Sequence, residues 1–104
     1  MTNICDNKFT LIKENDNCKD YQEVKEKLQK LFENTFEGDI SEFDEGVSEG
    51  FFDSKWTFPH DLICPILEGK EVYFRCLSEE YGCCYVAMNI YSDGYWHDEQ
   101  CFEF

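Results

Sequence analysis

The stretch "CKDYQEVKEKLQKLFENTFEG", residues 18–38, has the most regular spacing of apolar residues in the chain. These residues recur at intervals of three and four: Tyr21, Val24, Leu28, Leu31, Phe32 and Phe36. That interval places them in one stripe of an amphipathic helix. Gly38 is a natural C-terminal stop for such a helix. We therefore predict a long helix in the N-terminal half of the chain.

On both sides of this helix, apolar and polar residues alternate in short segments, as is typical of strands. The segment "NKFTLIKEN" (7–15) precedes the helix, and residues 51–58 follow the acidic region beyond it. Three further strands are predicted at 70–78, 83–91 and 95–104, which together form an antiparallel meander. The C-terminal half is therefore expected to be mostly sheet.

A second, shorter helix is predicted in "FPHDLICPIL" (58–67). Pro59 suits a first helical position, whereas Pro65 prevents a long helix. The resulting fold class is α+β, with an antiparallel sheet of four to five strands packed against one long N-terminal helix and a short second helix. The 104 residues leave no room for two independent cores, so we expect a single domain over residues 1–104.

The segment "FENTFEGDISEFDEGVSEGFFD" (32–53) carries eight carboxylates, and no lysine or arginine lies between Lys30 and Lys55. Gly46 and Gly50 argue against one continuous helix here, so a short helical turn is favoured, and the choice between helix and loop stays open. We expect the apolar residues of the segment to face the core: Phe36, Ile40, Phe43, Val47 and Phe51.

The net charge of −14 results from 23 acids and 9 bases. Direct binding to nucleic acid is disfavoured, because no stripe of lysine and arginine is present to neutralise phosphates. Two explanations of the charge stay open: solubility alone, or a basic partner.

If the apolar residues are held inward, the acids between them are presented to solvent at fixed positions. Acids two apart in an extended chain stand about 6–7 Å apart, which is comparable to the spacing of phosphates along a nucleic-acid strand. Such a row could occupy a groove lined with lysine and arginine. The predicted partner-binding residues are Glu37, Asp39, Glu42, Asp44, Glu45, Glu49 and Asp53.

Catalytic motifs are not evident, so we expect a non-enzymatic protein without a cofactor. Only two histidines exist, the six glycines are dispersed, and no serine lies in a nucleophile elbow. One alternative is a zinc site built from two His-x3-Cys pairs: His60, Cys64, His97 and Cys101. The second pair lies in a predicted strand, where residues four apart are separated by about 13 Å. The spacing therefore permits zinc without requiring it.

The sequence shows no signal peptide and no apolar run near the length of a membrane span. The seven cysteines are most simply free thiols in a reducing compartment. We therefore expect a cytoplasmic protein without a membrane partner.

The segments "FFDSKWTFPHDLICPI" (51–66) and "VYFRCLSEEYGCCYVAMNIYSDGYW" (72–96) resemble a small ferredoxin-like domain of phage and plasmid proteins, over roughly residues 50–96. The resemblance implies an α+β sandwich and mobile-element ancestry. In size, charge and missing active site, the chain also resembles the anti-CRISPR and anti-restriction inhibitors. That likeness implies a phage or mobile-element inhibitor in the cytoplasm of a bacterial host. Its partner would be the basic nucleic-acid groove of a host nuclease, such as a CRISPR effector.

A second interpretation belongs to another class of protein. The meander would then be a protein-interaction module whose contact surface is a set of exposed aromatic residues: Tyr81, Tyr85, Tyr91, Tyr95 and Trp96. Binding through these side chains would tolerate salt, whereas binding through the acids would not.

Overall fold

An antiparallel sheet of seven strands, with two helices, makes up the part of the chain that the computed structural model describes: residues 4–14, 18–80, 82 and 85–102. In chain order the elements are β1 (Ile4–Lys13), α1 (Cys18–Asn34), β2 (Gly38–Asp44), β3 (Val47–Lys55), α2 (His60–Leu67), β4 (Val72–Glu80), β5 (Tyr85–Ser92), β6 (Tyr95–Trp96) and β7 (Gln100–Phe102). The α+β class predicted from the sequence is confirmed.

The strands lie in the order β2-β3-β1-β4-β5-β6, and β7 pairs with β5 as well. The elements β1, α1 and β2 form a split β-α-β unit, because β3 lies between β1 and β2. The elements β3, α2 and β4 form a second one, with β1 between the two strands. Strand β1 is therefore central, and it pairs with β3 on one side and β4 on the other.

The core lies between the sheet and the two helices. The helical stripe predicted from the sequence supplies Tyr21, Val24, Leu28 and Phe32, all of which are buried. Phe32 packs on Phe52 of β3 with a distance of 5.1 Å between the ring centroids. Phe9 of β1 lies 5.7 Å from Phe32 and 5.5 Å from Phe74 of β4. These rings join α1 to the three central strands.

Helix α2 covers the neighbouring part of the same side of the sheet. It is short, as Pro65 predicted, but it begins at His60, one residue after the predicted first position at Pro59. Ile63 and Leu67 are fully buried in the core that α1 also contacts. Both helices therefore pack on one side of the sheet.

The acidic segment is a β-hairpin, so the predicted helical turn is wrong. Strands β2 and β3 pair from Gly38 opposite Phe52 to Asp44 opposite Val47, with a bulge between Glu42 and Asp44. The turn contains Gly46 at φ +73°, a conformation that glycine adopts without strain. Tertiary pairing decides this outcome, because β3 is hydrogen-bonded on its other side to β1.

The hairpin also corrects the number of strands, which is seven instead of four to five. Strand β2 was not predicted, and β3 begins at Val47 instead of residue 51. The predicted last strand is divided into β6 and β7 by residues 97–99. None of the helices in the described ranges is long and apolar enough to cross a membrane.

Candidate functional site: the open face of the sheet

One face of the sheet is left open, because α1 and α2 both pack on the other. Successive residues of a strand point to opposite faces. In β1, Cys5, Phe9 and Leu11 are buried against the helices, and the residues between them project from the opposite side. That side carries Phe51 of β3, whose side chain is 53% exposed. No helix in the described part of the chain covers this open face.

Four acids form a line across the open face. Asp6 of β1 lies opposite Asp53 of β3 on one side and opposite Glu79 of β4 on the other. Glu37 extends the line, because the backbone N–H of Asp53 donates to the Glu37 carbonyl at 2.9 Å. Neighbouring strands are about 4.8 Å apart, so the carboxylates succeed one another at roughly that interval. We call Glu37, Asp53, Asp6 and Glu79 the carboxylate row.

Within this row, the surroundings of Asp53 disfavour its ionised form. The pKa of Asp53 is raised, first by burial of its carboxyl group and then by the neighbouring charges of Asp6 and Glu37. Like charges directly opposite each other in a sheet are destabilising. At Asp53, a positively charged partner would therefore relieve repulsion as well as add attraction.

The acids predicted from the acidic segment do not form one continuous row, because a strand alternates its side chains between two faces. Asp39, Glu49 and Asp53 lie on the open face, and Glu37 lies beside them. Glu42 points to the helix side, where Lys25 Nζ donates to its Oε1 at 3.1 Å and Tyr21 OH donates at 3.0 Å. The Lys25 and Tyr21 hydrogen bonds lower the pKa of Glu42.

The other two predicted acids, Asp44 and Glu45, form their contacts at the hairpin turn. Glu45 pairs with Lys13 at 3.7 Å, and Asp44 Oδ1 accepts from the backbone N–H of Glu45 at 2.8 Å. The acidic segment lacks bases of its own, but α1 and β1 supply Lys25 and Lys13. Glu42 therefore lies on the helix side, whereas Asp44 and Glu45 lie at the hairpin turn and stay exposed.

The expectation that the phenylalanines hold this segment inward is also wrong in part. Ile40 is buried, whereas Phe43 and Phe51 are 64% and 53% exposed. The two residues that complete the carboxylate row, Asp6 and Glu79, were missed. They lie in strands far apart in the sequence, and the register that aligns them depends on tertiary pairing.

A trough with a volume of about 650 Å³ lies on the open face beside the row. Its apolar wall is a second line across the strands, formed by Phe51, Leu77 and Met88, with Lys8 between Phe51 and Leu77. Thr10, Ser41 and Gly50 are among its small lining residues, and the charged residues Glu49 and Arg75 line it as well. Such a trough can accept a large apolar side chain.

The zinc alternative is not assembled by the fold. His60 Nε2 donates toward Glu99 Oε2 and Asn89 Oδ1, each at 3.2 Å, and Cys101 Sγ donates to Glu99 Oε1 at 3.5 Å. His97 Nε2 instead lies 2.7 Å from Ser92 Oγ, and Cys64 lines a separate cavity. Within the described residues, no three ligating side chains are placed to hold a metal ion.

The aromatic residues of the second interpretation differ in exposure: Tyr91 is buried, whereas Tyr85 and Trp96 are half-buried. Tyr91 is fully buried, and its OH donates to the Lys70 carbonyl at 2.9 Å. Tyr85 OH donates to Glu99, and Trp96 packs on Tyr91 with 5.4 Å between ring centroids. Tyr95, at 59% exposed, does face solvent. Tyr81 lies outside the described residues.

Comparison with known proteins gives no assignment for this architecture. No protein-family model, curated protein sequence or solved structure matches the chain. The function must therefore be argued from the open face itself, from the carboxylate row and the trough beside it.

Proposed function

We propose that the protein is a non-enzymatic inhibitor of phage or mobile-element origin that binds a basic nucleic-acid groove of a host nuclease, such as a CRISPR effector. It acts in the cytoplasm of the bacterial host and blocks the binding of DNA or RNA by acidic mimicry. The carboxylate row is the observation that carries this proposal.

The row presents negative charges at a regular interval, as a phosphate backbone does. Its carboxylates follow one another at about 4.8 Å, the distance between neighbouring strands. Duplex DNA carries one charge per about 3.4 Å of axis on each strand, so several acids of the row can meet side chains that would otherwise bind phosphates. Asp53, Asp6 and Glu79 belong to β3, β1 and β4, which are paired with one another in the middle of the sheet. This placement keeps the acids in fixed positions.

The charge distribution also argues against direct binding to nucleic acid. Sheets that bind single strands combine aromatic residues with a positively charged groove. Here Phe51 has such an aromatic position, but Asp53 and Glu49 lie beside it on the same strand face. The net charge of −14 of the whole chain adds to this repulsion of phosphates and favours proteins that bind them.

The buried thiols are not activated as nucleophiles. The described cysteines whose side chains are placed, Cys5, Cys64, Cys76 and Cys101, are free. Burial raises the pKa of Cys5 to about 11 and that of Cys76 to about 12. Burial also raises the pKa of Cys64. These shifts disfavour the thiolate, which is the nucleophilic form.

The order of the elements is one that ferredoxin-like domains share. The β1-α1-β2-β3-α2-β4 succession is the split β-α-β arrangement of ferredoxin-like domains. Strands β5, β6 and β7 extend the sheet beyond β4. Fold alone carries no chemistry, so the function rests on the row and not on this likeness.

The test begins with capture of partners from a bacterial lysate that contains CRISPR and restriction nucleases. Affinity for the captured nuclease is then measured at about 0.1 and 0.5 M salt, between which the screening length shrinks about twofold. We expect severalfold weaker binding at the higher salt, and displacement of the protein by the nucleic acid of that nuclease. Affinity that does not depend on salt would contradict acidic mimicry.

The site is tested with two triple variants that remove the same charge. Asp6→Asn, Asp53→Asn and Glu79→Gln together neutralise three acids of the row and should weaken inhibition at least tenfold. The control combines Glu26→Gln, Glu33→Gln and Asp61→Asn, three exposed acids on the helices. If both variants lose inhibition equally, net charge and not the row is responsible.

A further inference from the structure

The trough and the carboxylate row lie next to each other on the open face. Phe51 and Asp53 are two residues apart on β3, and Lys8 and Asp6 are two residues apart on β1. Residues two apart on one strand face are separated by about 6.6 Å. The acidic line and the apolar line therefore run side by side across the same strands.

The apolar line leaves hydrophobic side chains in contact with solvent. Phe51 is 53% exposed, and Leu77 and Met88 are half-buried although no described helix packs over them. The methionine is flexible enough to adapt to the shape of an inserted group. Lys8 stands between Phe51 and Leu77, where its methylene stem continues the apolar line while its ammonium group can reach water.

We propose that the trough anchors a basic protein segment, which inserts one large apolar side chain between Phe51, Leu77 and Met88 and sets lysines or arginines against the carboxylate row. This inference rests on the proposed function, and it adds that the partner is recognised by an apolar anchor as well as by charge. The carboxylate row attracts a basic segment because its charge is complementary. The row lies two residues along each strand from the apolar line of the trough.

Other occupants fit this surface less well. A second copy of the chain would bring one net charge of −14 against another, which opposes association. A nucleic-acid base could stack on Phe51, but its phosphates would lie close to Asp53 and Glu49. A protein segment can contact both the carboxylate row and the apolar line, because it can carry lysine or arginine and a large apolar residue within a few positions.

The experiment uses two short synthetic lysine-rich peptides of equal charge, one with a central phenylalanine and the other with serine at that place. Their binding to the whole protein is measured by calorimetry at about 0.1 and 0.5 M salt. We expect the phenylalanine peptide to bind about tenfold more tightly, because burial of an aromatic side chain is favourable. Both peptides should bind more weakly at the higher salt.

Variants of residues that line the trough show which side chains cause the preference for the phenylalanine peptide. Met88→Gln and Phe51→Ser should each reduce the difference between the two peptides to less than about threefold, since each removes apolar surface from the wall. The matched control is Leu62→Ser, which removes an exposed apolar side chain of α2 on the other side of the sheet. This control should leave the tenfold preference unchanged. Circular dichroism melting shows whether each variant remains folded.

The outcomes separate the anchor from the proposed function. Equal, salt-sensitive binding of both peptides would overturn the anchor and leave acidic mimicry standing. A phenylalanine preference that does not depend on salt would support the anchor and overturn acidic mimicry. If neither peptide binds, or if a mixed-sequence oligonucleotide binds in preference to both, the anchor is overturned.

Discussion

Asp6 and Asp53 lie directly opposite each other on β1 and β3, with both carboxyl groups on the open face. Burial raises the pKa of Asp53, and the charge of Asp6 raises it further. The folded protein therefore binds a proton at Asp53 more readily than the unfolded chain does. This relationship links the proposed binding surface to a measurable dependence of stability on pH.

We expect Asp53→Asn to increase the free energy of unfolding at neutral pH. Like charges directly opposite in a sheet cost on the order of 0.2–1 kcal/mol, and the substitution removes one of them. Because the folded-state pKa is raised, the cost is absent below the unfolded value of about 3.9 and appears as the pH rises through the folded value. Denaturant unfolding at a series of pH values should show the gain shrink toward zero in acid.

The control for this prediction is Glu33→Gln, which removes one exposed carboxylate of α1 outside the row. If the gain resulted only from a lower net charge, the control would show an equal increase at neutral pH. A gain at Asp53 that persists unchanged in acid would also contradict the pairing with Asp6.

Local pattern was sufficient to predict α1. Tyr21, Val24 and Leu28 are buried along one stripe, so the interval of three and four in the sequence corresponds to the face that packs. The short helix α2 was predicted from Pro59, which directly precedes it, and from Pro65, which limits its length. Both elements depend on interactions between residues that are close in the sequence.

The hairpin and the carboxylate row could not be predicted in that way. Phe43 and Phe51 continue the helical interval beyond α1, yet both are exposed, so the pattern there does not report burial. Asp6, Asp53 and Glu79 become neighbours through the register of three strands that are distant in the sequence. Register is fixed by pairing and packing, which a single sequence does not display.

Tyr21→Phe should destabilise the protein through the contacts that anchor the hairpin to α1. The Tyr21 hydroxyl is hydrogen-bonded to Glu42 and to Ser48, a buried residue of β3. We expect a loss of about 1 kcal/mol, the net contribution of one buried hydrogen bond such as that to Ser48. Urea unfolding measures the loss, and an unchanged midpoint would contradict the role of this hydroxyl.

The same variant has an effect on titration. The hydrogen bonds from Lys25 and Tyr21 lower the pKa of Glu42, so they favour its charged form in the folded state. This contribution to stability is present above the unfolded pKa of Glu42 and is lost as the pH falls through the folded value. In Tyr21→Phe, NMR titration of the Glu42 carboxyl should show a pKa closer to its ordinary value.

Asn7→Ala should be among the more damaging changes on the helix side of the sheet. The buried Asn7 amide donates to Ser54 Oγ at 2.9 Å and to the Phe52 carbonyl at 3.1 Å. Its Oδ1 accepts from Ser78 Oγ at 2.6 Å, so one side chain joins β1, β3 and β4. Leaving a buried polar group unsatisfied costs about 1–3 kcal/mol, and we expect a loss of about 2–3 kcal/mol.

The control for Asn7 is Asn34→Ala at the end of α1, where the amide donates to the Lys30 carbonyl at 2.8 Å in an exposed position. We expect this change to cost less than about 1 kcal/mol. Thermal or urea unfolding of both variants measures the difference, and equal losses would contradict the bridging role of Asn7.

Gly50→Ala separates backbone propensity from packing, because the two predict opposite signs. Glycine within a strand is less stable than alanine by about 0.5–1 kcal/mol, so propensity alone predicts stabilisation. A Cβ at Gly50 would instead lie 2.5 Å from Phe9 Cζ and would also overlap the Asp39 carbonyl oxygen. Since β2 or the Phe9 ring must move, we expect a loss of at least about 2 kcal/mol.

Gly69→Ala provides the comparison for Gly50, because nothing lies within 4 Å of its added Cβ and its φ is +76°. Its cost should be about 1–2 kcal/mol and should arise from the backbone conformation alone. Urea unfolding of the two variants distinguishes the causes. Stabilisation by Gly50→Ala would show that β2 does not approach β3 and Phe9 as closely as described. In that case Asp39 and the part of the trough that Gly50 lines would also lie farther apart.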